Sequence, residues 1–183
     1  MKLSFKEVAK PASILVIICI IVSGLLGVTN MLTADKIAEV QAETAAESRT
    51  VVLPDAETFE EKESESGSYY VGMSGSEIVG YVFTTSGKGY GGDVSVMTGI
   101  TADGNISGIA ILDQDETPGL GGNCTKSSFQ EQYKQAAQTL EVVKNQEAGE
   151  GQIEALTGAT ITSRAVTSAV NEAVDMYNNV KEG

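Results

Sequence analysis

The chain has 183 residues, which is enough for one ordinary domain and a shorter additional segment. It carries 25 acidic and 12 basic residues, and a net charge of −13 repels nucleic acid and anionic lipid headgroups, so neither is an expected partner. There is no His and no Trp, which excludes His-dependent catalytic triads, haem with His ligands and most zinc sites. No metal site is predicted, and electron transfer by this chain would require an organic cofactor.

The N-terminal segment is predicted to span a membrane. Residues 12–28 read "ASILVIICIIVSGLLGV", a stretch without charge, and the apolar residues that follow extend the predicted transmembrane helix to 12–32. Three lysines and a single acid lie among residues 1–11, and such a basic flank is typical of a cytoplasmic N-terminus. The remainder of the chain is therefore expected on the outer face of the cell membrane.

A cleaved signal peptide is the alternative interpretation of this segment. The apolar core of a signal peptide is about 7–15 residues long and ends at a small-x-small cleavage site. The nearest candidate is "LTA" at 32–34, where Leu32 does not suit a position that requires a small residue. A retained anchor is therefore favoured.

Residues 33–68 are predicted to form a helical stalk followed by an acidic loop. The run "ADKIAEVQAETAAESRT" at 34–50 is rich in helix-forming residues and has a narrow apolar stripe, so it is expected to continue the membrane helix. Pro54 stops this pattern, and the polar tract "ETFEEKESESGS" at 57–68 is expected to be a mobile surface loop.

Residues 69–183 are predicted to form one α+β domain, in which an antiparallel or mixed sheet is flanked by helices. The segment 69–114 is typical of a β-meander, because short alternating apolar runs are separated by turn signals such as "SGS" and "ADGN". The helical spacing of apolar residues then predicts one helix over 127–141 and another from about 163 to 180.

Two short motifs resemble known ligand sites but lack the context of those sites. "GKGYGG" at 87–92 matches the G-x-G-x-x-G pattern of dinucleotide-binding folds, yet a strand is predicted after it, where that site needs a helix. We interpret it as a Gly-rich hairpin connection that lets backbone segments approach closely. "DQDETPG" at 113–119 begins like an EF-hand calcium loop but has Pro118 and Cys124 where that loop requires Gly and Glu.

The two cysteines cannot form a disulfide with each other. Cys19 lies in the predicted membrane span, whereas Cys124 lies in the predicted outer domain. Cys124 is therefore expected to be a single thiol that packs as a small apolar residue.

The stretch "LTGATITS", which ends at Ser163, places four hydroxyl residues around a Gly-Ala step directly before the last predicted helix. Thr162 or Ser163 is expected to be the N-cap of that helix, and the free N–H groups and helix dipole at such an end favour a nearby anion. The small residues Gly158 and Ala159 leave the Thr160 hydroxyl accessible. The residues alone leave two interpretations open, a simple capped loop and a phosphate site at Thr160.

This stretch also resembles the flavinylation motif of the FMN-binding domain found in the G subunit of Rnf ion-translocating complexes and in the C subunit of the Na⁺-pumping NADH:quinone reductase. The motif is an Asp, two variable residues, Ser or Thr, and then Gly-Ala-Thr, whose Thr carries FMN through a phosphoester. In "EALTGAT" a Glu, Glu154, stands where the motif has Asp. The resemblance implies these cofactor-binding residues, with Thr160 as the covalent attachment site: Thr157, Gly158, Ala159, Thr160, Thr162 and Ser163.

A second motif carries the same resemblance. "ETPGLG" at 116–121 is similar to the turn that lies beside the flavin in that family, and "GYGG" at 89–92 and "MTGI" at 97–100 also match. The alternative is that Pro118 and Gly119 form only a type II turn. The resemblance implies four further residues near the cofactor: Glu116, Thr117, Gly119 and Leu120.

Resemblance to this family implies an electron-transfer subunit of an ion-translocating ferredoxin:NAD⁺ oxidoreductase, which is not catalytic alone. It implies covalent FMN as the cofactor, the other Rnf subunits as partners, both membrane-embedded and flavin- or iron–sulfur-containing, and a flavin transferase for maturation. Two alternatives stay open. One is a covalent-flavin carrier of another extracytoplasmic electron chain, and the other is an anchored binding or structural module without redox activity.

Overall fold

The computed structural model describes the backbone of residues 5–64 and 67–182. It begins with one long helix, α1 (Phe5–Val52), so the helix predicted through the apolar segment and the stalk is present. The chain divides into two compact units, and the described part of the first unit, which ends at Glu43, consists of residues of α1.

The first unit exposes large apolar side chains along its helix. Large apolar side chains such as Ile14, Leu25 and Leu26 are all exposed. Among the described residues, one helix is long and apolar enough to cross a membrane, and it lies within Pro11–Val52.

The second unit, Thr44–Gly183, is built on a five-stranded antiparallel sheet. Neighbouring strands in the sheet are also neighbours in the sequence, as in a β-meander. Gly75 and Gly104 take positive φ angles of 60° and 85° in two of the hairpin turns, which explains the glycines of the turn signals. The strands are β1 (Thr58–Ser64), β2 (Gly67–Ser74), β3 (Glu77–Lys88), β4 (Asp93–Thr101) and β5 (Ile106–Asp113). The predicted α+β class is confirmed.

Most of the acidic segment at 57–68 forms strands and not the predicted mobile loop, and residues 65–66 of it lie outside the described part of the chain. Residues 58–64 form β1, which pairs along its whole length with β2, from Thr58 opposite Met73 to Ser64 opposite Gly67. The prediction was wrong because an edge strand needs few apolar residues, and Phe59 is the only large one in β1. The acidic side chains of β1 also protect an open sheet edge from pairing with another chain.

The two faces of the sheet pack against different elements. On one face, Val94, Val96 and Ile100 of β4 join the main core, which also contains the apolar face of the last helix, α3 (Thr160–Glu182). On the other face, Met97 belongs to a smaller core with Val52 and Leu53. This alternation along β4 is what a strand buried on both faces requires. The Ser107 hydroxyl, on β5, donates a hydrogen bond of 2.5 Å to the Val52 carbonyl oxygen.

The helix predicted over 127–141 is mostly absent. One short helix, α2 (Ser127–Gln130), is followed by a single 3₁₀ turn, and the chain then runs along the sheet. The Ile106 N–H donates to the Gln135 carbonyl oxygen at 2.8 Å, and the Ala137 N–H donates to the Gly104 carbonyl oxygen at 2.9 Å. Pairing with the edge of the sheet therefore replaces the helical hydrogen bonds that the apolar spacing favoured.

A small parallel pair of strands completes the second unit. β6 (Glu141–Val143) and β7 (Gln152–Glu154) lie side by side, and neither was predicted. Ile153 of β7 is fully buried in the main core. Asn171 of α3 holds the chain at the start of β6, because its side-chain amide makes two hydrogen bonds to the backbone of Leu140, of 2.8 and 3.0 Å.

Candidate functional site: a cavity at the start of α3

A cavity of about 730 Å³ lies at the start of α3, in the size range of small-molecule sites. Four segments form its wall. They are the loop and first helical turn at 154–162, the turn after β5 at 116–121, residues 144–145 after β6, and Tyr90 in the connection between β3 and β4. The two motifs that the sequence singled out therefore lie on the same cavity, although about 40 residues separate them in the chain.

Most of the predicted site residues line this cavity, and two do not. Gly119 and Ser163 are not part of the wall, Gly119 because it lies at the exposed tip of its turn and Ser163 because it is buried behind the first turn of α3. The predicted residues in the wall are Glu116, Thr117, Leu120, Thr157, Gly158, Ala159, Thr160 and Thr162.

The carboxylate of Glu116 connects three parts of the wall. One oxygen, Oε1, accepts hydrogen bonds from the N–H groups of Tyr90 and Gly91, at 2.7 and 2.9 Å. The other, Oε2, accepts a short hydrogen bond from the Thr162 hydroxyl. The Glu116 N–H itself donates to the Gln114 side chain at 2.7 Å, so this residue is held at both its backbone and its carboxylate.

Glu116 is only 6% exposed, yet its environment favours the charged form. Burial by itself raises the pKa of a carboxylate, but the hydrogen bonds from Thr162, Gly91 and Tyr90 together bring the pKa of Glu116 below its ordinary value. Two glycines permit this close packing, because a Cβ at Gly89 or Gly121 would collide with the Glu116 side chain. The Gly-rich connection after β3 thus serves for close backbone approach, as predicted, and the wall of the cavity contains an ionised and buried carboxylate.

The last helix begins at Thr160, three residues before the predicted start. The Ser163 N–H donates to the Ala159 carbonyl oxygen at 3.0 Å, which is the first helical hydrogen bond and places Ala159 at the N-cap. Gly158, with a φ of +75°, provides the turn that allows this early start. The prediction that Thr162 or Ser163 caps the helix is therefore wrong.

The hydroxyls of Thr162 and Ser163 join segments of the wall instead of capping the helix. The Thr162 hydroxyl donates a hydrogen bond to the Glu116 carboxylate. The Ser163 hydroxyl accepts from the Leu156 N–H at 2.9 Å and donates to the Ala159 carbonyl oxygen at 3.0 Å, which fixes the loop before the helix. Because Ala159 has no side-chain oxygen, it cannot satisfy the first N–H groups of α3 as a Ser or Asp N-cap would.

The cavity combines an anion-binding end with an apolar rim. The N–H groups of the first helical turn, at Thr160 and the next two residues, precede the first helical hydrogen bond and favour a negative group. Near them, Leu120 is 46% exposed, Ile161 is 52% exposed and Tyr90 is 76% exposed. Leu120 lies over the loop, since a Cβ on Gly158 would come within 3.2 Å of its Cδ2. Exposed apolar side chains around a cavity are typical of a ligand site.

Several residues of the wall were missed by the sequence analysis. Tyr90 and Ile161 lie inside stretches that were quoted as motifs, so their exposed apolar side chains were a usable signal. Lys144 and Asn145 reach the cavity only because β6 and β7 pair in parallel, which no local pattern indicated. Glu154 also lies in the wall, at the end of β7.

Comparison with known proteins shows which class of domain this site belongs to. The family model described as "FMN-binding domain" matches residues 89–175, which include the whole wall of the cavity. A crystal structure of NqrC from Shewanella oneidensis has a similar fold, with a TM-score of 0.55 and 21% identity, over 71% of this chain and 73% of that one. The second unit is therefore an FMN-binding domain with an NqrC-like fold.

The full chain is similar to one particular kind of subunit. The model described as "RnfG N-terminal region" matches residues 1–51. The G subunit of the Na⁺-translocating ferredoxin:NAD⁺ oxidoreductase complex of Acetobacterium woodii is 38% identical, over 99% of this chain and 97% of that protein. The G subunit of the proton-translocating ferredoxin:NAD⁺ oxidoreductase complex of Clostridium ljungdahlii is 36% identical, over 90% and 86%. The chain belongs to the family of G subunits of ion-translocating oxidoreductase complexes.

Proposed function

We propose that this protein is the electron-transferring G subunit of an ion-translocating ferredoxin:NAD⁺ oxidoreductase complex and carries FMN linked by a phosphoester to Thr160. The relatives named above are subunits of such complexes, and the FMN-binding family model covers the cavity. The observation that carries the proposal is the position of Thr160, which is the first residue of α3 and part of the cavity wall.

Three features of the wall support FMN as its ligand. A phosphate attached to Thr160 has the free N–H groups of the first turn of α3 beside it, and Ala159 leaves them without a side-chain cap. The small side chains of Gly158 and Ala159 allow the phosphate and its chain to pass. Leu120 and Ile161 offer apolar surface for a flat ring system.

The chemistry of electron transfer belongs to the bound flavin, which accepts and donates electrons. The protein binds and orients this group, and the covalent bond to Thr160 prevents its dissociation. The Glu116 carboxylate fixes Thr162 relative to the backbone of Tyr90 and Gly91, and so holds the turn of α3 against the Gly-rich connection. These hydrogen bonds join segments of the wall without the help of a cofactor.

The proposed topology places residues 1–11 in the cytoplasm, 12–32 in the membrane and the second unit, Thr44–Gly183, on the outer face. The apolar helix and the basic N-terminal flank support this arrangement. A helix without Asp, Glu, Lys, Arg or His at 12–32 provides no path for an ion, so ion translocation is assigned to other subunits of the complex. Attachment of FMN is assigned to a separate flavin transferase.

The attachment site is tested by replacing Thr160 with Val in the full chain, co-expressed with a flavin transferase. We expect the chain with its original Thr160 to keep flavin fluorescence in a denaturing gel. The Thr160→Val variant should lose this fluorescence, because Val removes the hydroxyl and keeps the shape. Thr84→Val is the matched control, since it makes the same change at an exposed position of β3 and should keep the fluorescence. A fluorescent Thr160→Val band would show that FMN is attached elsewhere.

A further inference from the structure

Glu116 is unusual among the charged residues of this protein. Among the residues whose exposure the structure describes, it is the one charged side chain that is buried, and it lies in the wall of the cavity. All three groups that donate to its carboxylate, two backbone N–H groups and the Thr162 hydroxyl, are uncharged. Within the described part of the chain, the one ion pair is Lys36–Glu39, so no described cation lies within ion-pair distance of Glu116. Lys144, the cation in the wall of the cavity, is exposed and screened by water.

The three hydrogen bonds to Glu116 compensate the burial of its charge and keep the carboxylate ionised. Taking a carboxylate out of water is unfavourable unless hydrogen bonds compensate. A neutral Gln has nearly the same shape and would also accept hydrogen bonds from the N–H groups of Tyr90 and Gly91. A neutral side chain could therefore make these links, and what Glu116 adds is a negative charge in the wall of the cavity.

The charges of the other acids around the cavity act less strongly on a cofactor bound there. Glu154 lies in the same wall but is exposed, and Asp115 is exposed next to Glu116. Water and salt screen exposed charges, whereas a charge covered by protein atoms is screened less. Of the acids in the described part of the chain, Glu116 is therefore the one whose charge is least shielded from a cofactor in this cavity.

We infer that Glu116 is a fixed negative charge in the wall of the FMN cavity that lowers the midpoint potential of the bound flavin. The inference rests on the function proposed above, since it requires FMN in this cavity. Two-electron reduction of a flavin takes up two electrons and one proton and adds one negative charge to the cofactor. A nearby negative charge that solvent does not screen opposes this change, so the flavin becomes a stronger reductant.

The test is a redox titration of the full flavin-loaded chain in detergent micelles, followed by flavin absorbance. Dithionite is the reductant and is oxidised to sulfite as the flavin gains its two electrons. Glu116→Gln removes the charge and keeps the shape. We expect the midpoint potential of the flavin to be higher in this variant than in the chain with its original Glu116. Asp115→Asn removes one charge from the adjacent exposed position and should leave the potential nearly unchanged.

A second variant separates charge from structure. Thr162→Val breaks the same Glu116–Thr162 hydrogen bond but leaves the carboxylate charged with one donor fewer, so its field is less compensated and the potential should fall. A purely structural role of Glu116 would move Glu116→Gln and Thr162→Val in the same direction, because both loosen the same contact. Shifts of opposite sign therefore identify the charge as the cause.

The outcomes are distinguishable from failure of the proposed function. If the chain without substitutions contains no flavin, the proposed function fails before any titration. If the chain contains flavin and Glu116→Gln leaves its potential unchanged or lowers it, the inference about Glu116 is overturned. If Glu116→Gln does not fold, Thr162→Val decides alone, and an unchanged or raised potential in that variant overturns the inference.

Discussion

Gly87 of β3 is a point where the backbone of α3 lies against the sheet, and we predict that Gly87→Ala destabilises the domain. A Cβ at Gly87 would collide with the carbonyl oxygen of Ala165 and would lie 2.7 Å from its carbonyl carbon and 3.0 Å from its Cα. Carbon atoms in favourable contact are about 3.5–4.0 Å apart, so α3 has to move away by about 1 Å or more. All three atoms belong to the backbone, so no side-chain rotation relieves the contact.

The expected magnitude follows from the cost of overpacking. Forcing one additional methyl group into a packed core destabilises a protein by about 1–3 kcal/mol. For a domain of about 150 residues, each kcal/mol lowers the melting temperature by roughly 2–4 °C, so we expect a fall of about 2–12 °C. The unfolding of this domain can be followed by tyrosine fluorescence in the full chain, because all 6 tyrosines lie at residue 69 or beyond.

Ser86→Ala is the control for Gly87→Ala. Ser86 is the preceding residue of β3 and is exposed, so this change should leave the melting temperature within about 1–2 °C of the original value. An unchanged melting temperature in Gly87→Ala would refute the reasoning, because it would mean that α3 does not approach β3 as closely as the structure shows.

Two further predictions concern buried titratable groups of the same domain. Burial, together with the nearby charge of Glu116, raises the pKa of Cys124. In a Cys19→Ala background, a maleimide should therefore label Cys124 slowly in the native chain and fast in the urea-unfolded chain. Fast labelling of the native chain would contradict this burial. Because folding lowers the pKa of Glu116, its stabilising effect is present above the ordinary carboxyl pKa of about 4.5 and is lost as the pH falls. The melting-temperature difference between the unmodified chain and Glu116→Gln should therefore shrink below that pH, and a constant difference would exclude this linkage.

The sheet and the last helix could be predicted because their patterns are local. Alternation in β4 and the turn glycines gave the meander, and apolar residues at helical spacing gave α3. The helix over 127–141 had the same kind of spacing but did not form, since Gln135 and Ala137 pair with the edge of the sheet. Spacing alone does not tell whether the backbone will find a partner in a neighbouring strand.

The site was predicted in part for a similar reason. The motifs around Thr160 and Glu116 could be found in the sequence, but only the folded chain shows that the Glu116 carboxylate reaches Thr162 and the Gly-rich connection at once. Lys144 reaches the cavity through the parallel pairing of β6 and β7, two strands of three residues each with no pattern long enough to read. Contacts between segments distant in the sequence are therefore what the sequence analysis lacked.

The most direct test of the account is the intact mass of the full chain purified after co-expression with a flavin transferase, followed by mass spectrometry of its peptides. We predict that the chain is heavier than its amino acids by one FMN less one water, and that the added mass lies on Thr160. A chain with only the mass of its 183 residues, or an FMN found on another residue, would contradict the account.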